Sequence, residues 1–331
     1  MRIAFVNTLQ ELAKKNKDIM LLTNDLGFSV FEKYIEELPK QYLNMGVAEQ
    51  NMTGVAAGMA MEGKTPFVYS IVPFVTMRNF EQIRNDICYQ NLNVKIIGVG
   101  AGFSYGPYGH THHGLEDIGI LRTLANLTII CPGDPIEAEL AVKKAIKING
   151  PVYIRLGRAG EPIVYSKKPK FTVGKGLIVR EGKDITIVSM SYMTIEAIRA
   201  AAYLEKQGVS CEIIDLRTIK PIDWETIFTS IHKTKKLMVL DTGVATGSVA
   251  GEIIARVSMD HFSVLTQPPV RIALPDNPEP TSFGLTKHYY PGTESIIKSI
   301  SKMLSIDHDI NIVIKSPTLP DVPGDWFKGP F

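Results

Sequence analysis

Short apolar runs alternate with amphipathic stretches along most of this sequence. The apolar runs lie at residues 19–23, 66–71, 94–99, 127–131 and 152–156, and then at 184–190, 211–216, 237–241 and 270–274. Many of the stretches between them repeat their apolar residues with helical spacing. A strand that is apolar along its whole length is buried on both faces, which is typical of a parallel sheet covered by helices. The alternation therefore predicts an α/β fold with two sequential doubly wound domains.

The alternation is interrupted between residues 158 and 183, where glycine, proline and lysine are frequent and periodicity is weak. Such a stretch is typical of a connection between domains, and a chain of 331 residues is long enough for two domains. We predict a first domain over residues 1–165, a linker over 166–183 and a second domain over 184–306. Residues 307–331 contain four prolines and are predicted to form an extended tail.

The charge balance argues against two classes of partner. The chain has 36 Lys and Arg against 34 Asp and Glu, a net charge of +2, whereas binding to nucleic acid or to an anionic membrane needs a clear basic excess. We therefore expect neither a nucleic-acid nor a membrane partner. The three cysteines, Cys88, Cys131 and Cys211, have neither metal-site nor disulfide-framework spacing, which favours a reducing, cytoplasmic location.

The familiar nucleotide and hydrolase motifs are absent: the sequence has no GxGxxG after a predicted strand, no GxxxxGK[ST], no GxSxG and no HExxH. Polar loops after predicted strands remain, and ligands bind at such loops in parallel sheets. One loop places Glu49 at the start of a helix, and another carries His110, His112 and His113 among glycines. Taken alone, Glu49 is equally consistent with an acid favoured by the helix dipole. The histidine loop is equally consistent with a solvated loop or an adventitious metal site.

Three segments carry a resemblance to a known family. GVAEQNMTGVAAGMAMEG resembles the segment around the catalytic glutamate of thiamine-diphosphate enzymes of the transketolase superfamily. A second resemblance, to the family's histidine loop and the strand and helix after that loop, is carried by HTHHGLEDIGILRTLANLTIICPGDPIEAELAV. A third, to the start of the family's C-terminal domain, is carried by DITIVSMSYMTIEAIRAAAYLEKQGVSCEIIDLRTIKPID. The resemblance implies a pyrimidine-binding fold followed by a transketolase C-terminal-like domain.

The resemblance implies a cofactor site for thiamine diphosphate, which serves these enzymes as an electron sink. Glu49 matches the glutamate that hydrogen-bonds N1′ of the aminopyrimidine. Phe74 matches the aromatic residue that stacks on the pyrimidine ring, although an ordinary core phenylalanine stays an alternative, and Arg78 is assigned to the same site.

The resemblance also implies a substrate site. His112 matches the histidine that contacts the donor's oxygens, with His110 beside it, and Arg2, Ser29 and Arg158 match residues that hold a sugar phosphate. Arginine suits a phosphate because its planar guanidinium forms paired, charge-assisted hydrogen bonds. For each of the last three residues, an ordinary surface position stays an alternative.

Tyr108 stands where transketolases place an aspartate that reads a hydroxyl next to the reacting carbonyl. Tyrosine is bulkier and uncharged, so we do not expect the acceptor to be an ordinary aldose phosphate bound in the ordinary way.

The family's second module, whose GDG…N segment holds Mg²⁺ and the diphosphate, has no match in this chain. The sequence therefore resembles one subunit of a split enzyme. We expect the metal and diphosphate ligands on an N-terminal-half partner, no metal ligands in this chain, and an α2β2 assembly.

Three functions stay open at this point. The first is transfer of a two-carbon ketol unit from a ketose or ketose phosphate to an aldehyde. The second is that of the beta subunit of a 2-oxo acid (pyruvate-type) dehydrogenase decarboxylase, which the segment LPDNPEPTSFGLTKHYYPGTESI resembles. The third is that of a non-catalytic paralogue, against which the joint presence of Glu49, Phe74 and His112 argues.

Overall fold

A computed structural model describes residues 1–158, 160–165 and 167–306. The predicted tail over 307–331 lies outside the described residues. Within them the chain forms two sequential α/β domains whose sheets are mainly parallel, which confirms the fold class expected from the alternation. No helix in this part of the chain combines the length and apolar character needed to cross a bilayer.

The strands of the described ranges form two sheets. They are β1 (Ile19–Thr23), β2 (Tyr42–Asn44), β3 (Thr65–Ile71), β4 (Lys95–Val99), β5 (Thr128–Ile130), β6 (Val152–Leu156), β7 (Leu177–Arg180), β8 (Ile185–Ser189), β9 (Cys211–Asp215), β10 (Thr218–Lys220), β11 (Leu237–Val244) and β12 (Val270–Leu274). The first sheet has the order β10-β5-β6-β4-β3-β1-β2 and the second has the order β12-β11-β8-β9-β7. β10 and β7 are the antiparallel members.

The α-helices connect and cover the strands. They are α1 (Arg2–Ala13), α2 (Glu32–Glu37), α3 (Glu49–Met61), α4 (Val72–Thr76), α5 (Phe80–Gln82), α6 (Asp117–Leu121), α7 (Pro135–Ala145), α8 (Met193–Glu205), α9 (Trp224–Thr234), α10 (Val249–Asp260), α11 (Phe283–Tyr289) and α12 (Thr293–Leu304). A π-helix spans Ile83–Cys88, and 3-10 turns span Pro39–Gln41, Gly106–Thr111 and Phe262–Val264.

The central strands are buried along their whole length, as their composition predicts. Every residue of β1, β4, β6, β8 and β9 is buried. Phe5 of α1 and Ala138 of α7 pack with residues of one face of the first sheet, while Met52 of α3 and Ile87 pack with the other. Both faces are therefore covered by helices, which is the arrangement that continuous apolar strands require.

Three elements differ from the sequence-based expectation. β10 follows the second domain's β9 yet pairs with β5 of the first sheet, and a strand of three residues has too little periodicity to reveal this. β7 lies inside the predicted linker and pairs with β9. The stretch between the apolar runs at 66–71 and 94–99 contains not one helix but α4, which begins at Val72, then α5 and the π-helix.

Candidate functional site

Apart from Arg2, the predicted site residues follow the carboxyl ends of parallel strands of the first sheet. Ser29 follows β1, Glu49 follows β2, Phe74 and Arg78 follow β3, Tyr108, His110 and His112 follow β4, and Arg158 follows β6. Parallel strands have their carboxyl ends on one edge, so segments that are distant in sequence meet there.

Glu49 is the first residue of α3, and its side chain is only 2% exposed. Its Oε2 accepts a hydrogen bond of 2.7 Å from Nη1 of Arg78, whose side chain is 45% exposed. The Thr53 hydroxyl donates to the Glu49 carbonyl at 2.8 Å and accepts from Asn79 at 2.6 Å. A buried carboxylate needs a charged partner, and Arg78 supplies one from the solvent side.

Phe74 connects this pair to the histidine loop. The guanidinium carbon of Arg78 lies 4.5 Å from the centre of the Phe74 ring, a cation–π distance. The other neighbour of Phe74 is His112, whose ring centre is 5.2 Å away in an edge-to-face arrangement. The structure thus brings the predicted residues Glu49, Arg78, Phe74 and His112 into one continuous cluster.

Aromatic rings surround His112. Its ring centre lies 5.5 Å from that of Tyr105 and 5.0 Å from that of Tyr108, and Nδ1 lies 2.8 Å from the Thr111 hydroxyl. Burial, together with the charges of His113 and Arg158, lowers the pKa of His112 below its ordinary value. The neutral imidazole is therefore favoured at neutral pH, and a neutral ring can both donate and accept a proton.

Arg158 completes the side of this cluster opposite Phe74. Its guanidinium carbon lies 4.7 Å from the Tyr105 ring centre and 5.8 Å from the Tyr108 ring centre. Burial raises the pKa of Tyr105, while the charges of Arg158 and Arg2 oppose that rise. Tyr105 was not among the predicted residues. The one feature of the sequence that could have indicated it is its aromatic side chain, which lies among the glycines before the histidines.

The remaining predicted residues are placed differently. Arg2, the first residue of α1, lies near Tyr69, and its charge opposes the burial that raises the pKa of the Tyr69 hydroxyl. Ser29 is exposed, has a left-handed φ of 62°, and its amide donates to Glu32 at 2.5 Å. His110 pairs with Glu279 of the second domain, with 2.9 Å between Nδ1 and Oε2. Glu279 has no local signal in the sequence, because it lies in a loop after β12.

The geometry fits one half of the expected cofactor. A buried carboxylate beside an aromatic ring provides a hydrogen-bonding group and a stacking surface, which suit a protonated heterocycle. Within residues 1–158, 160–165 and 167–306, the structure shows no group of three or more His, Cys, Asp or Glu side chains that could hold a metal ion.

Two models of known protein families match the chain. A family model described as the transketolase pyrimidine binding domain matches residues 1–160, and one described as the transketolase C-terminal domain matches residues 174–296.

Individual proteins are similar over most of their length. The chain is 34% identical over 303 residues to an apulose-4-phosphate transketolase subunit of Phocaeicola vulgatus, which covers 90% of this chain and 95% of that protein. It is 35% identical over 250 residues to a 6-deoxy-6-sulfo-D-fructose transketolase subunit of a Clostridium species, with 75% and 78% covered. A solved structure, "Split gene transketolase, inactive beta4 tetramer", superposes with a TM-score of 0.81 at 34% identity, over 92% of this chain and 98% of that one.

Proposed function

The chain belongs to the transketolase family, and we propose that it is the subunit that activates the cofactor in a two-chain, transketolase-like transferase. The reaction is transfer of a two-carbon ketol unit from a ketose phosphate to an aldehyde. The observation that carries this proposal is the buried Glu49 carboxylate, paired with Arg78 beside Phe74 and His112.

Thiamine diphosphate, when bound, supplies the electron sink for breaking the carbon–carbon bond. Glu49 holds a proton at N1′ of the aminopyrimidine, and the Arg78 guanidinium keeps the carboxylate oriented toward the edge of the sheet. Phe74 provides a stacking surface for the pyrimidine. A hydrogen bond between a buried carboxyl group and a ring nitrogen is strong because water does not compete for it.

The residues around His112 act on the sugar. The neutral His112 imidazole donates a hydrogen bond to an oxygen that gains negative charge during the reaction. Arg158 and Arg2 are the cations proposed to hold the phosphate, and His110 and Ser29 are assigned to the edge of the same site. Arginine is suited to this task by its paired donors.

A second chain completes this site in our proposal. Phe28 is 79% exposed and Val47 is 73% exposed, and they lie beside Ser29 and Glu49 respectively. Exposed apolar side chains at a polar site are typical of a surface that another protein covers. We propose that an N-terminal-half subunit covers this edge, holds the diphosphate and Mg²⁺, and assembles with this chain as α2β2 in the cytoplasm. The similar solved tetramer, which consists of beta chains and is described as inactive, supports this need for a partner.

Tyr108 bears on the substrate. Its ring lies against His112 and within 5.8 Å of Arg158, so it lines the space next to the proposed reacting carbonyl. A tyrosine there favours a substrate that differs from ordinary aldose phosphates at the neighbouring carbon. Two of the similar proteins are named for apulose 4-phosphate and 6-deoxy-6-sulfo-D-fructose, which supports a donor other than the usual ketose phosphates, although the second name places its change at carbon 6.

The test uses the chain assembled with its N-terminal-half partner, thiamine diphosphate and Mg²⁺. Ketose phosphates with branched and unbranched carbon skeletons are offered with an aldehyde acceptor, and pyruvate is offered separately. The variant is Glu49→Gln, and the control is Glu62→Gln, which changes an exposed glutamate at the other end of the same helix.

We expect Glu49→Gln to lower the transfer rate by about 10²–10⁴-fold, the usual size of a lost acid–base group, and Glu62→Gln to leave it unchanged. Equal rates for Glu49→Gln and the wild type would overturn the role of Glu49. Release of carbon dioxide from pyruvate without ketol transfer would instead establish a 2-oxo acid decarboxylase, and failure to bind the cofactor with the partner present would establish a non-catalytic paralogue.

A further inference from the structure

The loop that carries His112 is in contact with the second domain through one carboxylate. We define the site loop as residues 106–113, which follow β4 of the first domain. Glu279 follows β12 of the second domain, yet its side chain lies against the site loop and is only 3% exposed. Its position is not explained by the second domain's own fold.

Both oxygens of Glu279 lie near the site loop. Oε2 is 2.9 Å from Nδ1 of His110, and Oε1 is 3.3 Å from Nδ1 of His113. The other ring nitrogen of His113, Nε2, lies 2.9 Å from the carbonyl oxygen of Gly106, at the start of the loop. The two residues that Glu279 contacts flank His112 closely in sequence, so a single side chain fixes the loop around the proposed substrate histidine.

The packing around this contact is close. Gly109 has a φ of 70°, and a Cβ at this position would collide with the side chain of Thr281, two residues after Glu279. The ring of His113 lies edge-on to Phe103, with 5.5 Å between centres, and Phe103 stacks on Tyr290 of the second domain at 3.6 Å. The 279–281 segment therefore packs closely against the site loop.

The charges are consistent with an ion pair at this contact. Burial acts to raise the pKa of Glu279, but the neighbouring His113 and His110 rings outweigh it and lower that pKa to about 2. The hydrogen bond and charge of Glu279 raise the pKa of His110. Further titratable groups that act within this cluster are Glu116, Tyr289 and Asp276.

We propose that Glu279 is a positioning residue, which holds the site loop through His110 and His113 so that His112 faces Phe74. The second domain thus contributes to the reaction of the first without contacting the substrate. The kinetic part of this inference depends on the proposed function, whereas the structural part, the holding of the site loop, does not.

The kinetic test compares Glu279→Gln with Glu279→Asp in the assembled enzyme. The control is Glu294→Gln, which removes an exposed carboxylate that pairs with Lys298 on α12. We expect Glu279→Gln to lower kcat per folded, cofactor-loaded enzyme about tenfold, Glu279→Asp to fall between it and the wild type, and the control to match the wild type. A residue that only stabilises the fold would lower the melting temperature and leave this normalised kcat unchanged, and that result would overturn the proposal.

The structural test uses the isolated full-length chain and needs no activity. Hydrogen–deuterium exchange of the site loop and NMR titration of the His110 ring are measured for the wild type, Glu279→Gln and Glu294→Gln. We expect faster exchange in residues 106–113 and a lower pKa of His110 in Glu279→Gln alone. Unchanged exchange and titration would overturn the proposal. If the assembled wild type transfers no ketol unit, the proposed function fails, and these measurements still decide whether Glu279 holds the loop.

Discussion

Polar residues have different roles at the carboxyl edges of the two sheets. At the edge of the first sheet, Arg78 is 45% exposed and Glu49 faces it from a buried helix start. At the edge of the second sheet, Asp215 accepts from the Tyr165 hydroxyl at 2.6 Å, and both Asp241 oxygens accept backbone hydrogen bonds at 3.0 Å. The first edge thus keeps polar groups available to a ligand, whereas these second-edge groups bond within the chain.

Two arginine pairs within the first domain show a similar contrast. Arg155 of β6 is fully buried, with Nε 2.8 Å from Asp117 and Nη1 2.8 Å from the Thr242 hydroxyl of the second domain. Burial and its charge pair with Asp117 make Arg155 a structural cation of the domain junction. Arg78 pairs with an equally buried acid but keeps a solvent-accessible side. Two ion pairs near the same sheet edge therefore differ in exposure: the Arg155 pair is buried and joins the two domains, and the Arg78 pair keeps a side that a ligand can reach.

The largest expected effect comes from breaking the junction. Arg155→Met leaves Asp117 buried without its cation, which costs about 3–5 kcal/mol in the free energy of unfolding. Urea denaturation followed by circular dichroism measures the loss. Arg256→Met, which breaks an exposed pair on α10, is the control and is expected to cost less than about 1 kcal/mol. If Arg155→Met were as stable as Arg256→Met, the contrast between the buried and the exposed ion pairs would be refuted.

Breaking the site pair should affect activity more than stability. Arg78→Met removes the partner of Glu49 and the cation over Phe74. We expect the transfer rate of the assembled enzyme to fall about 10–100-fold, equivalent to about 1.4–2.7 kcal/mol. The melting temperature should fall less than in Arg155→Met, because Arg78 is half exposed and water can reach Glu49 once its side chain is shortened. Arg84→Met, an exposed arginine in the adjacent π-helix, is the matched control. A melting temperature lowered as much as by Arg155→Met would place Arg78 among the structural residues.

The contribution of Asp215, at the edge of the second sheet, to stability should also depend on pH. Burial raises the pKa of Asp215 to about 6, despite opposing hydrogen bonds from Tyr165 and Arg217. Between pH 4 and 6 the folded chain therefore binds more protons than the unfolded chain, so this group's contribution to stability falls as the pH rises through that range. We expect the free energy of unfolding of Asp215→Asn to rise, relative to that of the wild type, by about 1–2 kcal/mol from pH 4 to pH 7.

The measurement is the free energy of unfolding of both chains across this pH range. Asp260→Asn, at an exposed site on α10, serves as the reference. A constant difference between Asp215→Asn and the wild type at every pH would show that Asp215 titrates normally in the folded chain.

The smallest expected effect concerns substrate choice. Tyr108→Asp introduces the acid that the family resemblance associates with ordinary aldose phosphates. We expect the ratio of kcat/KM for an unbranched to a branched ketose phosphate to rise about tenfold or less, which corresponds to one lost or gained polar contact. Tyr89→Asp, at an exposed position, should leave the ratio unchanged. An unchanged ratio in Tyr108→Asp would remove Tyr108 from the specificity site.

Local signals explain which parts of the site the sequence predicted. Glu49 begins a helix, His112 lies in a distinctive glycine–histidine loop, and Phe74 follows an apolar strand. Motif resemblance therefore located them, and the shared edge of a parallel sheet brought them together. Tyr105 and Glu279 were missed because aromatic and acidic residues in loops carry no periodic signal.

The sequence by itself determined the two α/β domains and the segments that end at the site edge, because continuous apolar strands and helix starts are local patterns that burial and hydrogen bonding enforce. Only the tertiary structure decided that β10 joins the other domain's sheet and that Glu279 reaches His110 across 169 residues. Such contacts depend on how two separately patterned domains pack, and the energy of a carboxylate near two imidazoles depends on distance in space, which spacing along the chain does not encode.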